Sequence, residues 1–204
     1  MLLKDYTKEL PKEVYIFGSG SSLDLYAEDY WDDKFTVGVN KSYQFDKHLD
    51  AVVLSHGTYI EDVEQNYSHL DLFVSRYDST HVRYGLNKFN DATTYVYDHY
   101  KNTGFDIIPK IGLMDNPEEN KVITCGDTVC RSIGVFVYLG VKNIWLVGCD
   151  GVGNPENKIN RKDYYPKNVN INRTIGHAAR SMQSKLYLRD NLKKYGINIK
   201  FLKP

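Results

Sequence analysis

Two stretches of small residues, one carboxylate and one histidine carry most of the chemistry legible in this chain. Gly18-Ser19-Gly20-Ser21-Ser22 follows the β-branched and aromatic run Val14-Tyr15-Ile16-Phe17. Glycines let a backbone turn tightly after a strand, serines cap a following helix, and amides at a helix start attract an anion. Thr124-Cys125-Gly126, in "VITCGD" at 122–127, offers a second turn of the same kind before an apolar helix-like stretch. Asp150 follows the apolar run "IWLVGC", where a carboxylate at a strand end can accept bonds from a ribose or an acceptor hydroxyl. His177, in "TIGHAARS", is expected in the first turn of a helix, whose positive end would keep the imidazole neutral near pH 7. An anion grip facing a neutral base is what transfer of a phosphate-activated group to a hydroxyl requires.

Two familiar phosphate loops are absent. A dinucleotide fingerprint needs a third glycine at position 23, which is Leu23, and an acid after the next strand, where "FTVGVNK" has Asn40. A P-loop needs Gly-Lys-Ser/Thr, which the chain lacks. No Asp-x-Asp occurs either, so the metal–carboxylate device of many sugar-nucleotide enzymes is missing and no metal or cofactor is expected.

Charge is unevenly spread. Lys+Arg and Asp+Glu balance at 26 each, yet from Lys158 onward 12 basic residues face two acids, Asp163 and Asp190. Residues 151–175, rich in Asn, Gly, Pro and Lys, read as a mobile lid leaving a strand at its carboxyl end. Arg161, Lys162, Tyr164, Tyr165 and Arg173 lie in it and could stabilise a departing phosphate, with Arg180 just beyond it as a further lid or acceptor contact. Among the other histidines, His56 in "LSHGT" could line the pocket.

These residues need a frame to bring them together. Strand-like runs at 13–17, 35–39, 51–55, 71–75, 143–148 and 197–202 alternate with helix-like stretches at 127–140 and 176–195, closed by Gly140 and Gly196. Several runs are apolar on both faces, as strands covered by helices on both sides must be. The expectation is one domain over 1–204: an α/β, Rossmann-like, doubly wound and mainly parallel sheet with helices on both faces. Residues 76–120, polar and tyrosine-rich, read as loops and short helices. No run approaches a membrane span, the start is too charged for a secretory segment, and Cys125, Cys130 and Cys149 read as reduced, buried thiols of a cytoplasmic protein.

Four blocks, "IFGSGSSLD", "VGVNKSY", "ITCGDTVCRSIGVFVYLGVKNIWLVGCDG" and "TIGHAARS…LYLRDNLKKYGINIKFL", occur in the order seen in the small bacterial sialyltransferases of glycosyltransferase family 42. Related Rossmann-like proteins, among them a pterin pyrophosphokinase group, share the first three. The resemblance implies a CMP-sugar donor held by Gly18, Ser19, Gly20, Ser21 and Ser22, by Asn40, and by Thr124, Cys125 and Gly126. It implies Asp150 and His177 as catalytic residues, His177 as the base, and Tyr164 or Tyr165 on the donor phosphate. Ser19 and Cys125 depart from the family's Asn and Ser, and no counterpart of the family's membrane-associating C-terminal extension is expected.

The expected function is therefore metal-independent sugar transfer from a nucleotide-activated donor to an acceptor hydroxyl. The expected partners are a nucleotide sugar and an acceptor glycan. Alternatives are a DNA-modifying glycosyltransferase acting on a hydroxymethylated base, a non-catalytic nucleotide-binding protein, and a pterin-type diphosphokinase.

Overall fold

The computed structural model of the chain describes residues 1–18, 20–44, 49–55, 59–75, 94–99, 120–123, 125, 127–149 and 171–202. Eight strands form one sheet: β1 (Glu13–Phe17), β2 (Thr36–Val39), β3 (Ala51–Leu54), β4 (Asp71–Ser75), β5 (Thr94–His99), β6 (Lys121–Val122), β7 (Asn143–Val147) and β8 (Asn198–Phe201). Their order is β6-β5-β4-β3-β2-β1-β7-β8, and every pair is parallel. Six of the eight strands lie where the hydrophobic runs predict them, within a residue or two at either end.

β2, β3 and β4 are buried along their whole length, which is why their residues are apolar on both faces. On one face, helices α2 (Thr128–Tyr138) and α3 (Ile171–Leu192) cover a core including Val14, Ile16, Val53, Phe73, Phe136 and Leu188. On the other, helix α1 (Ile60–Asn66) and two 3-10 turns cover Phe17, Val52, Leu54, Leu72 and Val147. The doubly wound α/β expectation holds.

Three features differ from expectation. β5 lies inside 76–120, the stretch read as loops and short helices, β6 follows directly after it, and α1 falls between two predicted strands. β5 carries a β-branched and aromatic pattern, Thr94-Tyr95-Val96-Tyr97, with all four residues buried. The tyrosines read as polar in the sequence because their hydroxyls mask rings that pack as core. α3 also begins at Ile171, five residues earlier than predicted, so 171–175 are its first turns rather than lid. Residues 151–170 of that expected lid lie outside the described residues.

Candidate functional site

The strand order reverses between β1 and β7: β2 to β6 run off one side of β1, β7 and β8 off the other. In open α/β sheets, ligands occupy the crevice at such a reversal, beyond the carboxyl ends of the strands. Gly18 follows β1 there, and Gly148 follows β7. The Gly18 amide donates to the Val147 carbonyl (2.8 Å) and the Gly20 amide to the Gly148 carbonyl (2.7 Å), so the two strand ends are laced together by backbone. A Cβ on Gly18 would stand 2.4 Å from the Gly148 oxygen. Gly148 has φ +60°, and a Cβ on it would stand 2.9 Å from the Gly20 oxygen and 3.3 Å from the Leu23 Cβ. Side chains are excluded from this joint by backbone contact alone, and Leu23 packs over it where a dinucleotide loop would carry glycine.

One expectation fails at this loop. The helix predicted after it is a five-residue 3-10 turn, Ser21–Leu25, with no side-chain cap bond at Gly20. So short a turn aligns too few peptide dipoles for the helix-end attraction to an anion. Any grip here comes from loop amides other than those of Gly18 and Gly20, which the joint uses. Ser22, in that turn, is half-buried, and Ser19 lies outside the described residues.

Beside this joint, a polar network ties the carboxyl ends of β2 and β3 to the start of α2. Asn40, at φ +51°, donates through Nδ2 to Thr128 Oγ1 (2.9 Å) and accepts through Oδ1 from the Ser55 amide (3.1 Å) and Oγ (3.3 Å). The Ser55 and Thr128 hydroxyls meet at 2.5 Å. Asn40, expected to touch a donor, therefore has its amide engaged in holding three elements in register.

Asp127 caps α2, accepting from the Cys130 amide at 2.8 Å. Its other carboxylate oxygen accepts from Ser181 Oγ and from Lys185 Nζ (2.7 Å), both on α3. Lys185 also donates to the Ser181 hydroxyl and carbonyl. The Lys185 side chain is 3 % exposed and that of Asp127 15 %. Burial alone would push the Asp127 carboxyl up, but the Lys185 charge, the Ser181 hydroxyl and the Cys130 amide hold it below the usual carboxylate range. Burial likewise pulls the Lys185 ammonium down, and the Asp127 charge outweighs it, leaving the amine raised.

All three cysteines are buried and free, as expected. Burial, then the Cys125 thiol beside it, pushes the Cys130 thiol well up, which makes it inert. Cys125 is wholly buried and its Sγ faces the Ser184 carbonyl of α3 at 3.8 Å.

His56, Thr124, Gly126, Asp150, Arg161, Tyr164 and Tyr165 lie outside the described residues. Arg173 and His177 fall within α3. Because that helix starts at Ile171, position 177 is in its second turn, and the helix-end argument for a neutral imidazole does not apply. Arg180 is exposed on the same helix. Part of the basic C-terminal charge is already balanced: Lys185 by Asp127 and Arg189 by Asp190 (2.8 Å).

Sequence reasoning misses Ser55, Thr128, Ser181 and Lys185. The available signals are an Asp directly before an apolar helix, which marks a cap, and the four-residue step between Ser181 and Lys185. Among the described residues, no three His, Cys, Asp or Glu side chains cluster closely enough to hold a metal ion, and no helix is long and apolar enough to cross a membrane.

The fold has a solved counterpart. The chain is similar to the MAf glycosyltransferase from Magnetospirillum magneticum AMB-1, with a TM-score of 0.53 and 15% identity over 97% of this chain. At that identity the likeness is one of fold. The chain spans about a third of the counterpart, 34% of its length. No family model and no curated protein matches the sequence.

Proposed function

We propose that the protein is a glycosyltransferase that moves a sugar from a nucleotide-activated donor to an acceptor hydroxyl. The observation that carries this reading is the reversal of strand order between β1 and β7, with glycine-bearing ends at the edge where such sheets bind ligands. The fold shared with a solved glycosyltransferase supports the reaction class. The family 42 blocks support a CMP-linked donor and His177 as the base.

In this mechanism the Gly18–Ser22 loop, through the amides that its joint with β7 leaves over, and the turn at Thr124 to Gly126 hold the nucleotide phosphate, with Tyr164 or Tyr165 adding a hydroxyl. His177 takes the proton of the acceptor hydroxyl as its oxygen bonds to the anomeric carbon; the bond from that carbon to the phosphate oxygen breaks, and the nucleoside monophosphate leaves. The base acts through its neutral imidazole, which accepts the proton at a ring nitrogen. Asp150 accepts from a donor or acceptor hydroxyl. No step requires a metal.

Thermal-shift titration with CMP, UDP, GDP and ATP, each with magnesium and with EDTA, tests the donor class, because a ligand of the folded form raises its melting point. The expected outcome is a rise with CMP that EDTA leaves unchanged. Magnesium-dependent binding of ATP in preference to CMP would overturn the reading in favour of a diphosphokinase.

A further inference from the structure

We propose that Asp127, Ser181 and Lys185 form a positioning clamp that fixes the roll of α3 about its axis and thereby sets where the turn bearing His177 lies. The functional half of this statement rests on the reading above; the structural half does not.

Helical spacing comes first. Positions 177, 181 and 185 stand at i, i+4 and i+8, so they share one face of α3. Among the described residues, the clamp residues Ser181 and Lys185 are therefore fixed points one and two turns from position 177 along that face. Ala179 and Arg180, between them and position 177, are exposed, while Ser184, Lys185, Leu188 and Leu192 are buried. The described anchorage of α3 thus begins at the clamp and runs toward the C-terminus, and the turns before it depend on the roll fixed there.

The other end of the clamp is built into the crevice edge. Asp127 is the cap of α2, and its neighbour Thr128 bonds Asn40 and Ser55 at the ends of β2 and β3. A contiguous set of hydrogen bonds therefore runs from two strand ends, through one helix cap, to the face of α3 that carries position 177. Bond directions make it specific. One oxygen of Asp127 serves the Cys130 amide, the other serves Ser181 and Lys185, and the ammonium spends its protons on Asp127 and on the Ser181 hydroxyl and carbonyl. Rolling α3 by one residue would leave a buried ammonium and a mostly buried carboxylate unpaired.

A buried ion pair is a poor source of net stability, since apolar residues of similar volume often do as well. Its best-attested use is to select one register among several that packing alone would allow. Among the described residues, the buried apolar anchors of α3, Leu188 and Leu192, lie on the C-terminal side of the clamp. Registration of the far turns is what the pair adds.

The test compares the wild type with the double variant Lys185→Met/Asp127→Asn and with Ser181→Ala. Asparagine keeps the cap of α2, and removing both charges together avoids a lone buried ion, so the double variant should fold. Hydrogen exchange is followed in 171–180, 186–195 and 128–138. The expected result is exchange at least about tenfold faster in 171–180 with the other two segments unchanged. Unchanged exchange in 171–180, or an equal increase in all three, would overturn the clamp. With a CMP-sugar, kcat should fall about tenfold while the affinity for CMP stays within about twofold. A full kcat in a variant that shows the exchange change would overturn the link to His177. If the wild type itself shows no turnover, the glycosyltransferase reading fails and the exchange data still decide the clamp.

Discussion

Two neighbouring parts of the same sheet edge are held together by opposite means. Where β1 and β7 end, the joint is made by backbone: the Gly18 and Gly20 amides bond carbonyls at the end of β7, and a Cβ on Gly18 or Gly148 would press on a carbonyl oxygen. Where α2 begins, the joint is all side chain: Thr128 reaches Asn40 and Ser55, and Asp127 reaches Ser181 and Lys185. The first kind of joint spends the Gly18 and Gly20 amides on carbonyls at the end of β7 and rests on no charged group. The second needs polar and charged groups held in one geometry, and it links sheet ends to a helix. Under the proposed function, the first would lie beside the donor phosphate and the second would orient the helix that carries His177.

The contrast can be broken at several points, beginning with the largest expected effect. Lys185→Met alone leaves the Asp127 carboxylate mostly buried without its cation, and should cost about 3–5 kcal/mol in urea unfolding. The double variant with Asp127→Asn should recover most of that loss. Gly18→Ala comes next: its methyl collides with the Gly148 carbonyl, and neither backbone can yield without parting β1 from β7. A loss of about 1–3 kcal/mol is expected, together with weaker CMP binding. Thr128→Val keeps the volume but strands the Asn40 and Ser55 groups that met its hydroxyl, and should cost about 1–2 kcal/mol.

The pH dependence is the smallest of these effects and separates the joints further. Asp127 has a folded pKa below its unfolded value, so its contribution is present above the unfolded value and fades as pH falls through the folded one. Lys185 is raised, so its contribution is present below the ordinary lysine value and fades as pH rises through the folded one. Stability from the clamp should therefore form a plateau between the acid and alkaline limbs, measured as unfolding free energy against pH. In the double variant both limbs should be shallower. Gly18→Ala should lower the whole curve without changing its shape.

The backbone joint is the more legible of the two in sequence. Few residues tolerate such contacts, so Gly-x-Gly after an apolar run reads directly as a strand end, and the apolar runs themselves located six of eight strands. The side-chain joint is nearly silent. Ser181 and Lys185 look like any polar pair on a helix surface, and only the packing of α3 against the α2 cap turns them inward. Asn40 was legible as special, but its use as a cross-link rather than a free amide depends on Ser55 and Thr128 arriving from distant parts of the chain. Position 177 lies one turn deeper than its sequence suggests, because Gly176 looks like a helix start whereas the asparagine-rich segment before it is already helical from Ile171. β5 hid because tyrosine counts as polar in a periodicity reading yet packs as an aromatic, as the rings of Tyr95 and Phe73, stacked at 5.6 Å, do here.

The claim on which the account turns is that the rim formed by the ends of β1 and β7 receives the nucleotide. Amide chemical-shift mapping with CMP addresses it most directly. The account predicts saturable shifts in Gly18 to Ser22, in Asn40 and in Gly148 and Cys149, with the opposite edge of the sheet, around Asp50 and Asp71, unmoved. Saturable shifts confined to that opposite edge, or none at Gly18, Gly20 and Gly148 with any of the four nucleotides, would contradict it.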